Sequence, residues 1–223
     1  MWNRPYVPRL QPQGQRWRSF EGFAPKLPLG GHVAVLSADT EDGASSCLWR
    51  IPPGMSHAGG HVLAGGEQLF VLEGSLQKGE HLYTRHCYGY RAPYTQHEAM
   101  WSKEGALVLA FWDSELTMAP LASQRRGPGG DGALFVDTQT MDYKVHDVPG
   151  PAEGIIVKHL NREAATGGST LIVTIAAGWE EHRAEHHDCV EESYKLYGDM
   201  RIVENGIEHV LNGGDYFFRP PRI

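Results

Sequence analysis

Short apolar segments, separated by glycine, proline and polar residues, follow one another along most of the chain. Apolar and polar positions alternate in several of them, and β-branched and aromatic residues are frequent, which predicts strands. The first series reads HVAVLSAD, SCLWRIPPG, EQLFVLEGSL, GEHLYTRHCYGYRAP and ALVLAFWD. Strands this closely spaced are typical of a sandwich or barrel, so the pattern predicts an all-β fold.

The pattern occurs twice. A shift of 124 residues places Gly54 on Gly178, Glu67 on Glu191 and Gly74 on Gly198 without a gap. Such a repeat predicts two copies of one fold. The second series reads ALFVDTQTMDYKV, EGIIVKHLNRE, STLIVTIAAGW, ESYKLYGDMRIVENGIEHVL and DYFFRPPRI.

The chain divides into four parts on this basis. Residues 1–30 combine basic, proline and aromatic residues without strand-like alternation, which predicts an extended arm packed on its own body or on a second subunit. Residues 31–119 form the first repeat and residues 134–223 the second. Residues 120–133, rich in glycine and charge, are the predicted linker.

Composition excludes several classes of protein. The formal net charge is −7 and no basic cluster is interleaved with aromatics, so nucleic acid is not an expected partner. No apolar run approaches the ~20 residues of a membrane span, and the first residues lack a signal-peptide core. A cytoplasmic protein is therefore expected. Three cysteines without C-x-x-C spacing argue against a disulfide framework, and we expect all three to be buried.

The segment from Gly54 to Gly74 resembles the first motif of the cupin superfamily. In that motif two metal-type residues are followed by a glutamate and a glycine at fixed spacing. The segment RAPYTQH, which ends at His97, resembles the second cupin motif. The resemblance covers nearly all of the chain after the arm, once per repeat. It implies a bicupin, with two tandem double-stranded β-helix (jelly-roll) barrels, similar to acetylacetone-cleaving oxygenases and to the cupin half of anti-sigma factors.

The first repeat carries the better candidate metal site. His61, Glu67 and His97 match ligand positions of the two motifs, whereas Leu63 stands at the second histidine position. His57 is a further candidate if the glycine-rich turn after it bends the ring inward; otherwise it is an exposed turn residue. Two imidazoles and a carboxylate suit one divalent ion, with iron(II) favoured and zinc, manganese or nickel as alternatives. Without an ion, the same residues would hydrogen-bond inside a degenerate barrel.

The second repeat departs from the motif differently. Glu185 stands at the first histidine position, His187 at the second and Glu191 at the carboxylate position. The counterpart of His97 and the closing strand of the barrel would lie past Ile223, so the second barrel is expected to be incomplete at its C-terminus. Additional C-terminal residues, the arm or a partner subunit would have to fill the gap, because an unpaired sheet edge promotes aggregation. The resemblance also implies a homodimer.

The expected ligand is a small organic molecule. Many aromatics surround the first motif, and Arg50, Arg91 and Tyr94 are candidates for substrate contact, although a one-residue register error would reverse each assignment. No catalytic residue can be assigned from the sequence. The leading hypothesis is a metal-dependent oxygenase acting on a diketone, enol or hydroxy acid. The alternatives are a non-catalytic zinc-binding or ligand-sensing bicupin and a metal-dependent isomerase or lyase.

Overall fold

The computed structural model describes residues 3–27, 29–124, 132–145, 154–163, 166–182 and 187–222. Its regular structure is strand apart from one short helix, α1 (Phe20–Phe23), and three single turns of 3₁₀-helix at Pro12–Gly14, Leu121–Ser123 and Thr138–Thr140. The all-β fold predicted from the alternating pattern is confirmed.

Thirteen of the described strands lie in the arm and the first half. They are β1 (Val7–Leu10), β2 (Arg18–Ser19), β3 (His32–Ala38), β4 (Ser45–Ile51), β5 (Met55–His57), β6 (Val62–Leu63), β7 (Glu67–Gly74), β8 (Leu76–Lys78), β9 (His81–Tyr83), β10 (Cys87–Arg91), β11 (Met100–Ser102), β12 (Ala106–Trp112) and β13 (Met118–Ala119).

Eight described strands follow in the second half. They are β14 (Ala133–Asp137), β15 (Lys144–Val145), β16 (Ile155–Arg162), β17 (Ser169–Ile175), β18 (Glu191–Tyr194), β19 (Asp199–Glu204), β20 (Ile207–Asn212) and β21 (Tyr216–Arg219).

A seven-stranded sheet in the order β14-β10-β7-β12-β4-β3-β2 dominates the first half. A four-stranded sheet, β5-β11-β8-β9, faces it, and β6 pairs with β13. Alternate residues of β7 point to opposite faces: Leu69 and Val71 pack between the two sheets, whereas Phe70 and Leu72 pack on the other side against Leu160, Tyr216 and Phe218 of the second half. Both faces of β7 are therefore buried, and the sheets form a sandwich rather than a closed barrel.

The two halves exchange strands. β14 opens the second half but pairs with β10 of the first, from Cys87↔Asp137 to Arg91↔Ala133. In return, β1 of the arm pairs with β21 of the second half. The arm thus packs on its own chain, which answers the question that the sequence left open.

Ion pairs reinforce this exchange. Arg9 Nε lies 2.8 Å from Asp215 Oδ2. The buried Arg4 side chain donates from Nη1 to Ser46 Oγ at 3.0 Å and lies 3.4 Å from Glu192 Oε1. Because Ser46 belongs to the first half and Glu192 to the second, the arm ties the two halves together.

The second half is the more open of the two. The 124-residue repeat places β4 on β17 residue for residue. In the first half β4 lies between β3 and β12, whereas among the described strands β17 borders β16 alone. No described strand therefore borders β17 on the side that corresponds to β12 in the first half.

The three cysteines differ in burial. Cys47 and Cys87 are buried free thiols, but Cys189 is exposed, so the expectation that all three cysteines are buried is wrong. Cys189 lies in a loop before β18, outside both hydrophobic cores.

Within the described residues, no helix is long and apolar enough to cross a membrane.

Candidate metal centre

Three histidines meet at the end of the first half's sandwich. His57 ends β5, His61 precedes β6 and His97 lies between β10 and β11. The His57 and His61 rings lie 4.9 Å apart, nearly perpendicular at 85°, while the His61 and His97 rings stack at 4.8 Å and 19°. The glycine turn therefore bends His57 toward His61, which is one of the two placements that the sequence allowed.

Backbone hydrogen bonds place these rings. The His97 N–H donates to the His61 carbonyl at 2.8 Å, and the Gly60 N–H donates to the His97 carbonyl at 2.8 Å. The Gly59 N–H donates to His57 Nδ1 at 3.0 Å. His57 Nδ1 therefore acts as a hydrogen-bond acceptor. Main-chain hydrogen bonds thus hold together the segments that carry the three rings.

Gly59 and Gly60 provide a matched pair for testing this turn. Both have a left-handed backbone, with φ of 73° and 76°. A Cβ on Gly59 would lie 2.3 Å from the Glu98 carbonyl carbon, whereas one on Gly60 would meet nothing within 4 Å. We expect Gly60→Ala to cost about 1–2 kcal/mol, the ordinary left-handed penalty. Gly59→Ala should lower the free energy of unfolding, measured by urea denaturation, by a larger amount. Equal losses would contradict the steric constraint.

Glu67 is the buried acid of the cluster. It opens β7 and pairs in register with Arg91 of β10 and Trp112 of β12, so these three side chains share the inner face. Glu67 is 4% exposed. Its Oε1 lies 3.6 Å from His97 Nδ1, and its Oε2 accepts a hydrogen bond of 3.4 Å from Trp112 Nε1.

Lys78 is the residue that sequence reasoning missed. Its Nζ donates to Glu67 Oε1 in a close ion pair, and its side chain is almost completely buried. Leu76 and Lys78 alternate along β8 with the intervening Gln77, so both point into the core. This alternation predicts that Lys78 is buried. It identifies Glu67 as the partner of Lys78 only once β8 is known to face the first motif.

Burial and charge set the protonation of the cluster. Burial lowers the pKa of His97 to about 3, and burial together with the neighbouring His57 lowers the pKa of His61 to about 4. Burial alone would raise the pKa of Glu67, but the Lys78 ammonium, together with His97 and Arg91, lowers that pKa to about 2. At neutral pH the cluster therefore holds two uncharged imidazoles beside an ionised carboxylate.

These shifts predict acid sensitivity. The unfolded chain binds a proton at each histidine below its ordinary pKa of 6.5, whereas folded His97 resists protonation down to about 3. Stability is therefore full above 6.5 and falls as the pH is lowered through the interval between those values. Between pH 7 and pH 5 we expect His97 alone to cost about 1–2 kcal/mol. His97→Gln should flatten the pH profile of the free energy of unfolding; an unchanged slope would contradict the assigned environment.

The donor atoms of the cluster are of types that bind divalent ions. Two buried ring nitrogens, His61 Nδ1 and His97 Nε2, have no hydrogen-bond partner among the described residues. Buried polar atoms are rarely left unsatisfied, and neutral imidazole nitrogens are common metal ligands. Two such nitrogens and a carboxylate are therefore donor types that suit a divalent ion.

The positions of these donor atoms, in contrast, do not suit a bound ion. No three His, Cys, Asp or Glu side chains within the described ranges converge in a way that could hold an ion. Lys78 holds Glu67 Oε1, and the His97 nitrogen that faces this oxygen is Nδ1 rather than the unpartnered Nε2. Rotation of the His97 ring by half a turn would exchange the positions of Nδ1 and Nε2. Ion binding thus requires Glu67 to be released and the imidazoles to turn.

The residues predicted to contact substrate lie in different places. Arg91 is buried in the cluster and forms a two-pronged ion pair with Glu98, at 2.6 and 2.7 Å from Nη2. Tyr94 is a left-handed turn residue whose N–H donates to the Leu63 carbonyl. Arg50 lies on the outer face, 4.3 Å above the ring of Trp17. The structure therefore brings Arg91, but not Arg50, to the cluster.

The second-repeat candidates form a much more exposed group. His187 Nε2 lies 3.9 Å from Glu191 Oε2, and both side chains are substantially exposed. Glu191 also pairs with Arg219 at 2.8 Å. Glu185 lies outside the described residues. The histidine cluster of the first half thus remains the better candidate site.

Comparison with known proteins places the chain in a family. Residues 29–223 match a family model described as a domain of unknown function, DUF4437. The chain belongs to the DUF4437 family. No protein with a curated description matches this DUF4437 chain.

Solved structures resemble this DUF4437 chain in fold. A protein from Nostoc punctiforme, provisionally described as a dioxygenase, is 16% identical with a TM-score of 0.80, covering 99% of this chain and 81% of its own. A Pseudomonas aeruginosa protein, provisionally described as glyoxylate-induced, is 15% identical with a TM-score of 0.62, covering 87% and 74%. A variant of oxalate decarboxylase from Bacillus subtilis is 14% identical with a TM-score of 0.52, covering 96% and 71%. These likenesses confirm the cupin fold and nothing beyond it.

Proposed function

We propose that this chain is a metal-dependent cupin enzyme of the oxygenase type, with one divalent ion held by His61, Glu67 and His97. Its substrate would be a small oxygen-rich metabolite such as a diketone, an enol or a hydroxy acid. The observation that carries the proposal is a pair of buried, unpartnered nitrogens on two stacked imidazoles, of which the His97 ring lies beside an ionised, buried carboxylate.

The ligand set favours iron(II), with zinc, manganese or nickel as alternatives, because two imidazoles and one carboxylate are the usual protein ligands of non-haem iron. When bound, such an ion would polarise a bidentate oxygen substrate and, as iron(II), supply reactivity toward dioxygen. His57, next to His61, is a candidate for a further ligand.

The protein's own residues prepare this site in three ways. The lowered pKa values of His61 and His97 keep both rings neutral and able to donate a lone pair. Glu67 stays ionised although it is buried. The apolar core around Trp49 and Val108 excludes water from the inner side, whereas His57 and His61 are partly exposed and mark the side from which a ligand would enter.

Two lines of support come from outside the site. The gapless 124-residue repeat supports the division into two cupin repeats, for which the boundaries 31–119, 120–133 and 134–223 stay a prediction. The fold is shared with the Nostoc punctiforme protein that is provisionally described as a dioxygenase. At 16% identity, this likeness supports the fold on which the proposed chemistry depends, but not the chemistry itself.

Oxygen consumption tests the proposal. Protein loaded with iron(II) without air should take up dioxygen only when a substrate from a panel of β-diketones, enols and 2-hydroxy acids is present. His97→Ala should abolish the uptake, and His209→Ala, which changes a histidine of the β19–β20 hairpin, should not. Iron binding without uptake for any member of the panel would contradict the oxygenase assignment.

A non-catalytic zinc-binding or ligand-sensing role is the second candidate. The ion pair of Lys78 with Glu67 favours the ligand-sensing form of this role, because this pair satisfies the carboxylate without any ion. Zinc retained after dialysis, together with ligand binding and no turnover, would support this role. A metal-dependent isomerase or lyase would use the same ligands and would convert substrate without consuming oxygen.

We also propose a homodimer formed through the edge of β17 that no described strand borders. Val173 and Ile175 are exposed there, and Ser169–Ile175 contains no charged residue to discourage pairing. Sedimentation should give twice the mass of one chain, and Val173→Lys should yield monomer; a monomer at all concentrations would contradict this proposal. A cytoplasmic location and the lack of a nucleic-acid partner stay predictions.

A further inference from the structure

We propose that Lys78 competes directly with the divalent ion for Glu67, so that the carboxylate binds either the Lys78 ammonium or the ion. This inference rests on the proposed function, since it concerns the same site. It assigns to Lys78 a role in setting metal affinity that neither cupin motif contains, because the lysine lies in β8, beyond the glycine that ends the first motif.

The two positive groups would need the same oxygen atom. Lys78 Nζ donates to Glu67 Oε1, and the His97 ring approaches that same Oε1 at 3.6 Å. The other oxygen, Oε2, is directed toward Trp112 Nε1 at 3.4 Å. An ion held by His97 and this oxygen of Glu67 would therefore compete with the ammonium for it.

Among the described residues, Glu67 is the carboxylate that forms an ion pair with Lys78. Arg91, the other buried cation beside Glu67, has its own partner in Glu98. Glu67 and Lys78 are both almost fully buried, and two positive charges on one oxygen repel strongly where little water screens them. The flexible four-carbon stem of lysine allows the ammonium to withdraw while β8 stays in place.

Metal affinity of the chelator-stripped, tag-free chain tests the inference. Lys78→Met keeps the volume of the stem and removes the charge, and Lys103→Met, at an exposed position after β11, is the matched control. Titration calorimetry with Mn²⁺ and separately with Zn²⁺ should show affinity at least tenfold higher for Lys78→Met than for wild type. Lys103→Met should bind as wild type does. The gain should disappear in Lys78→Met combined with His97→Ala.

The possible outcomes separate this inference from the proposed function. Equal affinity of Lys78→Met and wild type would overturn competition by Lys78 and leave the metal-dependent function standing. Binding by the variant alone would support competition and contradict a metal-dependent function of the wild-type chain. The lack of any site in either protein would overturn both. If Lys78→Met fails to fold, Lys78→Gln, which is neutral but can still donate to Glu67, should show the same gain, and equal affinity would again overturn the inference.

Discussion

Replacing Glu67 with glutamine is expected to lower the free energy of unfolding by about 3–5 kcal/mol, the usual cost of leaving one member of a buried ion pair alone. The isosteric change keeps the shape of the side chain but leaves the Lys78 ammonium without its anionic partner. Urea denaturation followed by circular dichroism measures the loss. Glu73→Gln, a change at an exposed glutamate of the same strand, should be nearly neutral.

A double-mutant cycle sharpens this result. Lys78→Met alone should also be strongly destabilising, because it leaves Glu67 buried and unpaired. Combining it with Glu67→Gln should cost at least about 2 kcal/mol less than the sum of the single changes, since neither charge then remains without a partner. Additive losses would show that the two side chains do not depend on each other, and would contradict the ion pair at the centre of the site.

Phe20→Ala is expected to cost about 3–5 kcal/mol, the range for truncation of a fully buried aromatic. Phe20 belongs to the short helix of the arm, yet its ring lies 5.0 Å from that of Trp49 and 6.1 Å from that of Trp112, inside the first half's core. The change would therefore create a cavity beside the two tryptophans and alter their near-ultraviolet circular dichroism.

Phe23 supplies the control for this change. It lies in the same helix and its ring is 5.8 Å from that of Trp112, but it is only partly buried. Phe23→Ala should thus cost clearly less than Phe20→Ala. Equal small losses for both variants would mean that the arm is not part of the first half's core, contrary to the structure.

The fold followed from local sequence signals, and the main cluster from a family resemblance. Strand alternation and the 124-residue repeat predict an all-β chain of two related halves, and the resemblance to the two cupin motifs implies His61, Glu67 and His97, which the structure brings close together. Alternation predicts strands because successive side chains along a strand point to opposite faces of the sheet.

Other features depend on contacts between distant segments. The exchange of β1 and β14 between the halves is invisible to local patterns, since either strand could pair with several edges. Lys78 belongs to a three-residue strand, and its partner is known only once β8 is placed against β11 and the motif. Arg50 could not be assigned to a face, because a one-residue shift in register reverses it.

Metal content tests the central claim most directly. Tag-free protein incubated with excess iron(II) under anaerobic conditions, or with zinc, and then desalted should retain about one ion per chain by elemental analysis. His97→Ala and His61→Ala, each confirmed as folded by circular dichroism, should retain far less, whereas His209→Ala should match wild type. Wild-type protein that retains no ion, or retains as much as the His97 and His61 variants do, would contradict a metal centre in the first half.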